Sequence, residues 1–410
     1  MIDQETLQHS VVCERFSPFK LRLALDWQAV ELPLRLVEDA WQRFASSPIA
    51  AIASSLEKEV IASGIYGTHT IEGGELSEEE TANTLAQPPR SPDDNRRAVL
   101  NLKTAYEHAQ THSSAADWRL TPAYIQDIHR QITTDIPHSY SHPPKASYGV
   151  ASPRRTKAYC LRRRALSETF GGWLYNTPGQ YRNNSKDIVT QVGNPPYKPP
   201  QYHGDISRCI AALCEWQETL QAAGVPALIR APLVHYYYEI IHPFWDGNGR
   251  VGRVLEASIL LHEGMNYAPF AQARYYLRHI DRYFSLFNHT RLAHKRKEAD
   301  ANTAFVVFFL QGMRDTIHQL HDRINEMTKV LLYSYRLNEA KQDKRLNARQ
   351  YSIVRLVLEQ SGQYTRKTLT ESPHYQVLYK TVSERSERRD WLGLADWLDI
   401  DADKRLYPRL

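Results

Sequence analysis

Apolar positions recur with a helical period over most of this chain. Between 33 and 85 the pattern is mostly helical. It is irregular around Val37 and Trp41, but Ile52, Leu56 and Val60 recur at i, i+4 and i+8. Gly73-Gly74 then ends a helix, because glycine takes the left-handed C-cap at little cost. After the PPRSPDD turn at 88–94, residues 95–109 and 122–132 read as two more helices. Further helices are expected at 205–221, 226–241, 249–263, 276–290 and 301–335. Residues 187–202, DIVTQVGNPPYKPPQY, depart from this texture. A β-branched run broken by Gly-Asn-Pro-Pro predicts a β-hairpin whose prolines confine its second arm to an edge. Residues 136–178 read as an inserted excursion with one helix near 166–175. Residues 1–35 support no assignment. After about Lys344 the pattern changes to a helix, a short helix, a charged helix and two brief strands. The expected fold is mainly α with one small hairpin.

Composition adds bounds. A chain of 410 residues favours two or three domains, and 42% hydrophobic with 24% charged residues is an ordinary globular balance. No apolar run approaches bilayer length, so no membrane partner is expected. The start, MIDQETLQHS, lacks a basic n-region and an apolar h-region, and the expected compartment is cytoplasmic. Cys13, Cys160, Cys209 and Cys214 form no CxxC pair, so neither a disulfide framework nor a zinc ribbon is indicated. The net charge of +5 hints at nucleic acid, but residues 145–164 alone carry seven Lys/Arg and no acid. The basic balance is local, not a property of the whole surface.

The chemistry concentrates in HYYYEIIHPFWDGNGRVGRVLEASILLHEG, residues 235–264. Pro243 disfavours α geometry at His242, so one helix ends there, a tight loop follows, and a second helix starts near Gly249. The amino end of that helix presents unpaired N–H groups and positive partial charge. Gly247 and Gly249 allow close backbone approach, and Arg250 and Arg253 add cations where the helix dipole disfavours them. This stacking of positive charge makes sense if a polyphosphate binds there. The competing reading pairs both arginines with acids on a neighbouring helix. Asp246 stands where a carboxylate could hold Mg²⁺, and His242 suits a general base. His235, Glu239 and His242 fall at i, i+4 and i+7, which mimics a metal face, but no further ligand set accompanies them. His235 therefore reads as a hydrogen-bonded core histidine.

His242-Pro243-Phe244-Trp245-Asp246-Gly247-Asn248-Gly249-Arg250-Val251-Gly252-Arg253 resembles the signature of the Fic domain family, HxFx(D/E)GNGRxxR, at every specified position. Looser resemblance runs from about 52 to 310, including GQYR at 179–182 and YFSL at 283–286. It implies a Fic-type helical bundle that uses ATP with Mg²⁺ (or Mn²⁺) to place AMP on a Tyr, Ser or Thr hydroxyl of a target protein. It further implies His242 as base, Asp246 as metal ligand, and Phe244 as the loop's anchor in the core. Gly247, Asn248, Gly249 and Arg250 would hold the α- and β-phosphates and Arg253 the γ-phosphate, with Tyr283 at the adenine or ribose pocket. The hairpin, with Val189, Thr190, Gln191, Val192 and Gly193, would be a flap that docks the target segment by strand addition. A kinase-like branch of the family carries Lys where Gly249 stands, so Gly249 favours AMP transfer. Thr68, Glu72 and Gly73 resemble the family's inhibitory motif, (S/T)xxxE(G/N), in which the glutamate pairs with the second motif arginine, here Arg253. Some relatives of this layout also remove AMP, and a homodimer stays open.

Residues 364–410 resemble a winged helix-turn-helix, with 365–371 as first helix, 383–394 as recognition helix and 398–410 as wing. Arg385, Arg388 and Arg389 would be its groove or phosphate contacts. Residues 346–410 hold eleven Lys/Arg against nine Asp/Glu, a net of only +2, so a DNA partner and a protein partner are both open. The expected domains are an N-terminal helical region at 1–110, a catalytic domain at 111–335 with an insertion at about 139–178, and the winged helix at 345–410. The reading that competes with the enzyme is a DNA-binding transcriptional regulator whose helical body senses nucleotide.

Overall fold

The computed structural model describes residues 3–46, 53–136, 177–183 and 197–410, in two compact units, 1–320 and 321–410. Val189, Thr190, Gln191, Val192 and Gly193, expected to form a flap, and the helix expected near 166–175 lie outside the described residues.

The first unit is mainly helical. Its N-terminal stretch, which supports no assignment from sequence, forms a small antiparallel pair. Strand β1 (His9–Val11) aligns His9 with Leu21 and Val11 with Phe19 of β2 (Phe19–Leu21). Helix α1 (Trp27–Ser46) begins before Pro33 and contains it. A stripe of buried Val30, Leu34, Val37, Ala40 and Phe44 holds the helix through the proline, so packing outweighs the lost backbone bond. Helices α2 (Ala53–Ile71), α3 (Glu78–Ala86), α4 (Asp94–Ser113) and α5 (Pro122–Thr133) follow. Ser77, Asp93 and Thr121 cap the last three through their side chains. Then come α6 (His203–Ala222), α7 (Ala227–Ile241), α8 (Asn248–His262), α9 (Ala268–Arg278), α10 (Ile280–Lys295) and α11 (Thr303–Gln342), whose residues from 321 on belong to the second unit.

The single helix expected at 276–290 is two helices, α9 and α10, divided at His279, which leaves the α region at φ −117°, ψ 36°. The break lets Tyr276 and Tyr283 stack at 4.5 Å in the core while their hydroxyls reach different partners, Glu256 and Arg253.

Helix α8 is the hub of this unit. It packs on α7, α4, α5 and α9, and most of its residues are buried, charged ones included. Helix α7 is buried on nearly every face, as expected of a central helix. Helix α2 presses against α9. A Cβ on Gly64 would stand 2.0 Å from the Phe270 carbonyl oxygen, and one on Gly67 would stand 2.9 Å from the Ala273 carbonyl carbon. That close approach fixes the end of α2, and with it Glu72.

The second unit has its own core, formed by Tyr333, Leu337, Ile353, Val354, Val357, Leu369, Tyr375, Leu394, Leu398 and Leu406 among others. Helices α12 (Ala348–Glu359), α13 (Arg366–Thr370), α14 (Pro373–Tyr379) and α15 (Glu384–Gly393) precede an antiparallel pair, β3 (Leu398–Ile400) with β4 (Leu406–Pro408). Helix α14 is additional to the elements expected from sequence, although Ser372 at its N-cap and Pro373 in its first turn are both start signals. Buried Asp390 ties α15 to α12 through Arg349 at 2.8 Å and Asn347 at 2.6 Å. Among the described residues no helix is long and apolar enough to cross a membrane.

Candidate functional site

The segment 242–253 folds as its local chemistry dictates. Helix α7 ends at His242, which adopts a left-handed conformation (φ 50°, ψ 61°) while its N–H still bonds the Tyr238 carbonyl at 2.9 Å. Gly247 (φ 83°) is the N-cap of α8, and no side chain caps that helix. The helix opens at Asn248, one residue before the expected start. Its first N–H groups therefore lack an intrahelical partner.

Asn248 is buried and closes the loop. Its amide oxygen accepts from the Phe244 N–H at 3.0 Å, its amide nitrogen donates to the Phe244 carbonyl at 2.9 Å, and that nitrogen lies 3.3 Å from the His242 ring nitrogens. Phe244 is fully buried and stacked on His129 at 3.6 Å with parallel rings. The His129 ring holds the loop from the other side. Its Nδ1 accepts from the Gly179 N–H at 2.9 Å, which leaves Nε2 to donate to the Asp246 carbonyl at 3.1 Å. Asp246 Oδ2 accepts from Arg250 Nη2 at 2.9 Å, with the carboxylate still 32% exposed.

A carboxylate from another part of the chain lies on the amino end of α8. Glu72 follows α2, where Gly73 (φ 87°) turns the chain and the Gly74 N–H returns to the His69 carbonyl at 2.9 Å. Glu72 Oε1 accepts from Arg253 Nη2 at 2.5 Å. A Cβ on Gly249 would fall 2.3 Å from the same oxygen, so the carboxylate rests directly over the first turn. Thr68 is buried, with its hydroxyl 3.1 Å from that of Tyr106.

Behind Arg253 runs a buried polar chain. Arg253 Nη1 donates to Tyr283 Oη at 3.2 Å, that hydroxyl is 3.1 Å from His235 Nε2, and His235 Nδ1 is 2.8 Å from Glu256, which also accepts from Tyr276. Burial alone would lower the Arg253 pKa, but Tyr283 and Glu72 outweigh it and push it up. Glu239 lies beside this chain with Oε1 buried and unbonded. Burial, reinforced by Glu72 and opposed by Arg253, pushes its pKa up to about 8. Burial and then Arg250 lower that of His69 to about 4.

Arg250 and Arg253 are both at least nine-tenths buried, and each has a buried Nε without a partner. The arrangement can hold an anion with several charged oxygens, with an imidazole and a carboxylate on the adjoining loop. Arg182, His129 and Glu256 are given no role from sequence, and Glu239 enters only through its metal-face spacing with His235 and His242. His129 reaches Asp246 across 117 positions, Arg182 reaches His242 across 60, and Glu256 reaches Tyr276 across 20, so no local spacing signals them.

The Fic/DOC family model matches residues 160–260. A curated relative from Aquifex aeolicus (strain VF5), described as a "probable protein adenylyltransferase", is 30% identical over 128 residues, which cover 30% of this chain and 38% of the relative. The chain thus matches less than two-fifths of that relative's length. A solved Fic family protein from Desulfovibrio desulfuricans G20 is similar in fold, with TM-score 0.51, 16% identity, and 93% of this chain and 95% of that chain covered. Residues 134–508 of Fic-1 from C. elegans give TM-score 0.50 at 18% identity, covering 73% of this chain and 74% of that one. Residues 160–260 are thus similar to the Fic/DOC family, and the fold is similar to that of solved Fic family proteins.

Proposed function

We propose that this protein transfers AMP from Mg-ATP to a Tyr, Ser or Thr hydroxyl of a target protein, and that Glu72 holds it in a low-activity state. The observation that carries this is the Glu72 carboxylate seated on Arg253 over Gly249. An anion site at a helix amino end is filled by the protein's own anion, where a terminal phosphate would otherwise lie. The description of the Aquifex aeolicus relative supports the same activity.

In this reading the N–H groups at Gly247 to Gly249, with Arg250, hold the α- and β-phosphates, and Arg253, oriented by Tyr283, holds the γ-phosphate. Asn248 acts through the loop it closes. Asp246 fits a Mg²⁺ site, since the ion takes one or two carboxylate bonds and completes its shell from phosphate and water. Among the described residues no three His, Cys, Asp or Glu form a cage, and Mg²⁺ bound with a polyphosphate needs none. When bound, the ion supplies charge neutralisation to the phosphates. The target's hydroxyl oxygen bonds to the α-phosphorus as the bond from that phosphorus to the bridging oxygen breaks. The hydroxyl proton passes to His242, and pyrophosphate leaves. The flap at 189–193 would align the target segment. Removal of AMP by the same site, with Glu72 taking part, extends the proposal.

The test is transfer of label from α-labelled ATP. The Glu72→Gly variant should label protein about tenfold or more faster than wild type, the scale of a relieved charge contact. Adding His242→Ala to that variant should abolish the signal. No covalent label from Glu72→Gly at saturating Mg-ATP would overturn the enzyme reading, while equal labelling by wild type and Glu72→Gly would overturn the brake.

A second reading concerns residues 345–410. Helix α15 with Arg385, Arg388 and Arg389 exposed, followed by the β3–β4 hairpin, supports a winged helix-turn-helix that binds DNA or a protein partner. Duplex binding that weakens steeply with salt, without labelling of protein, would favour the nucleotide-sensing regulator over the enzyme.

A further inference from the structure

His242 is a residue in an unusual backbone state. Left-handed geometry is sterically strained for a non-glycine residue, and such strain persists only where the surroundings over-determine it. One residue, Arg182, bonds the backbone on both sides of this turn. Arg182 Nε donates to the His242 carbonyl at 2.8 Å, and its Nη2 reaches the Ile241 carbonyl at 3.5 Å and also bonds the Pro200 carbonyl. Its backbone N–H donates to the Pro243 carbonyl at 2.9 Å. Three consecutive carbonyls, those of residues 241, 242 and 243, are thus held by a single residue about 60 positions away.

The electrostatics agree. These carbonyls are the negative end of α7, where a cation is favoured and where the last C=O groups need donors. Arg182 is 1% exposed, and among the described residues its guanidinium is met by carbonyl dipoles and by no carboxylate. Burial pulls its pKa down to about 9, which still leaves it charged at neutral pH. A buried cation without an acid partner is destabilising, and a methionine would fill much of the same volume without that cost. What the guanidinium adds over an apolar side chain is the geometry of the turn.

We infer that Arg182 is a positioning residue for His242, clamping the carbonyls on both sides of it so that the left-handed turn presents the imidazole in one orientation. This rests on the reading of His242 as the base. It assigns Arg182 no contact with nucleotide or target.

Two measurements test it, both on the full-length chain. In the Glu72→Gly background, Arg182→Met should lower the labelling rate about 100-fold, the scale of a misplaced catalytic group. Calorimetry should find ATP affinity within about twofold of the parent, because the Gly247–Arg253 cradle is untouched. Arg182→Lys should recover part of the rate, and added guanidinium ion should recover part of the rate in Arg182→Gly. A rate unchanged in Arg182→Met, or a loss shared equally by ATP affinity, would overturn the inference. The second readout needs no activity. The His242 imidazole resonances, identified by their loss in His242→Ala, should broaden or split in Arg182→Met while those of His235 keep their positions. A single unmoved His242 signal would overturn the inference, whereas absent labelling in Glu72→Gly itself would count against the enzyme reading alone.

Discussion

Two helices in this protein open with arginines three residues apart, and they teach different lessons. Arg250 and Arg253 stand at the start of α8, and Arg385 and Arg388 at the start of α15. In sequence, GRVGR and ERSER look alike. In the fold the first pair is at least nine-tenths buried and meets acids from elsewhere, Asp246 on the loop and Glu72 from the end of α2. The second pair is exposed, and Glu384 and Glu387 already complement the positive end of its own helix. A buried cation needs a specific anion, whereas an exposed one is satisfied by water. Burial, not spacing, separates the two pairs.

The largest effect that would break this contrast concerns the buried pair. In the Glu72→Gly background, Arg253→Ala should lower AMP labelling by about 100-fold, the scale of one lost preorganised donor, with circular dichroism unchanged. Arg388→Ala in the same background should leave labelling within about twofold, as for an exposed surface charge. Comparable losses from both would erase the distinction.

Next comes Glu239. Its carboxyl is held well above its ordinary value, so the folded state keeps a proton that the unfolded chain has lost. Stability should therefore fall as pH rises from about 4.5 to about 8, by roughly 2 kcal/mol once water reaching the site is allowed for. Urea unfolding of Glu239→Gln at about pH 5.5 and about pH 8 should show a flatter dependence than wild type. An identical slope would mean that the buried carboxyl is not protonated.

A smaller effect belongs to Gly249. A methyl there meets the movable end of Glu72, so Gly249→Ala should destabilise wild type by about 1 kcal/mol more than it destabilises Glu72→Gly. Additivity in this double-mutant cycle would show that Glu72 does not rest over the helix start. The smallest effect on the catalytic readout is expected from Arg385→Ala, Arg388→Ala and Arg389→Ala combined, which should leave AMP labelling unchanged. If the second unit binds DNA, the same triple variant should reduce the salt slope of duplex binding by about 0.9 per lost phosphate contact. An unchanged slope would assign these arginines to another partner.

The chain's local grammar is enough for the helices with strong period and clear caps, and for the helix–loop–helix of 242–253. That turn closes within twelve residues, and Pro243, Gly247 and Asn248 carry its backbone requirements themselves. Where long-range packing decides, local reading errs or stays silent. Pro33 does not start a helix, because a buried stripe on both sides carries α1 through it. His279 divides a periodic run because Tyr276 and Tyr283 have separate partners to reach.

What the sequence determined by itself is the set of groups along 242–253 and the turn that brings them together, since neighbours in the chain cannot be far apart. Tertiary structure alone decided which distant side chains meet them: Glu72 over Gly249, His129 under Phe244, and Arg182 on the carbonyls around His242. Those contacts depend on how α2, α5 and the 177–183 segment pack on the α7–α8 pair, and hydrophobic burial, which drives that packing, leaves no mark in the spacing of polar residues.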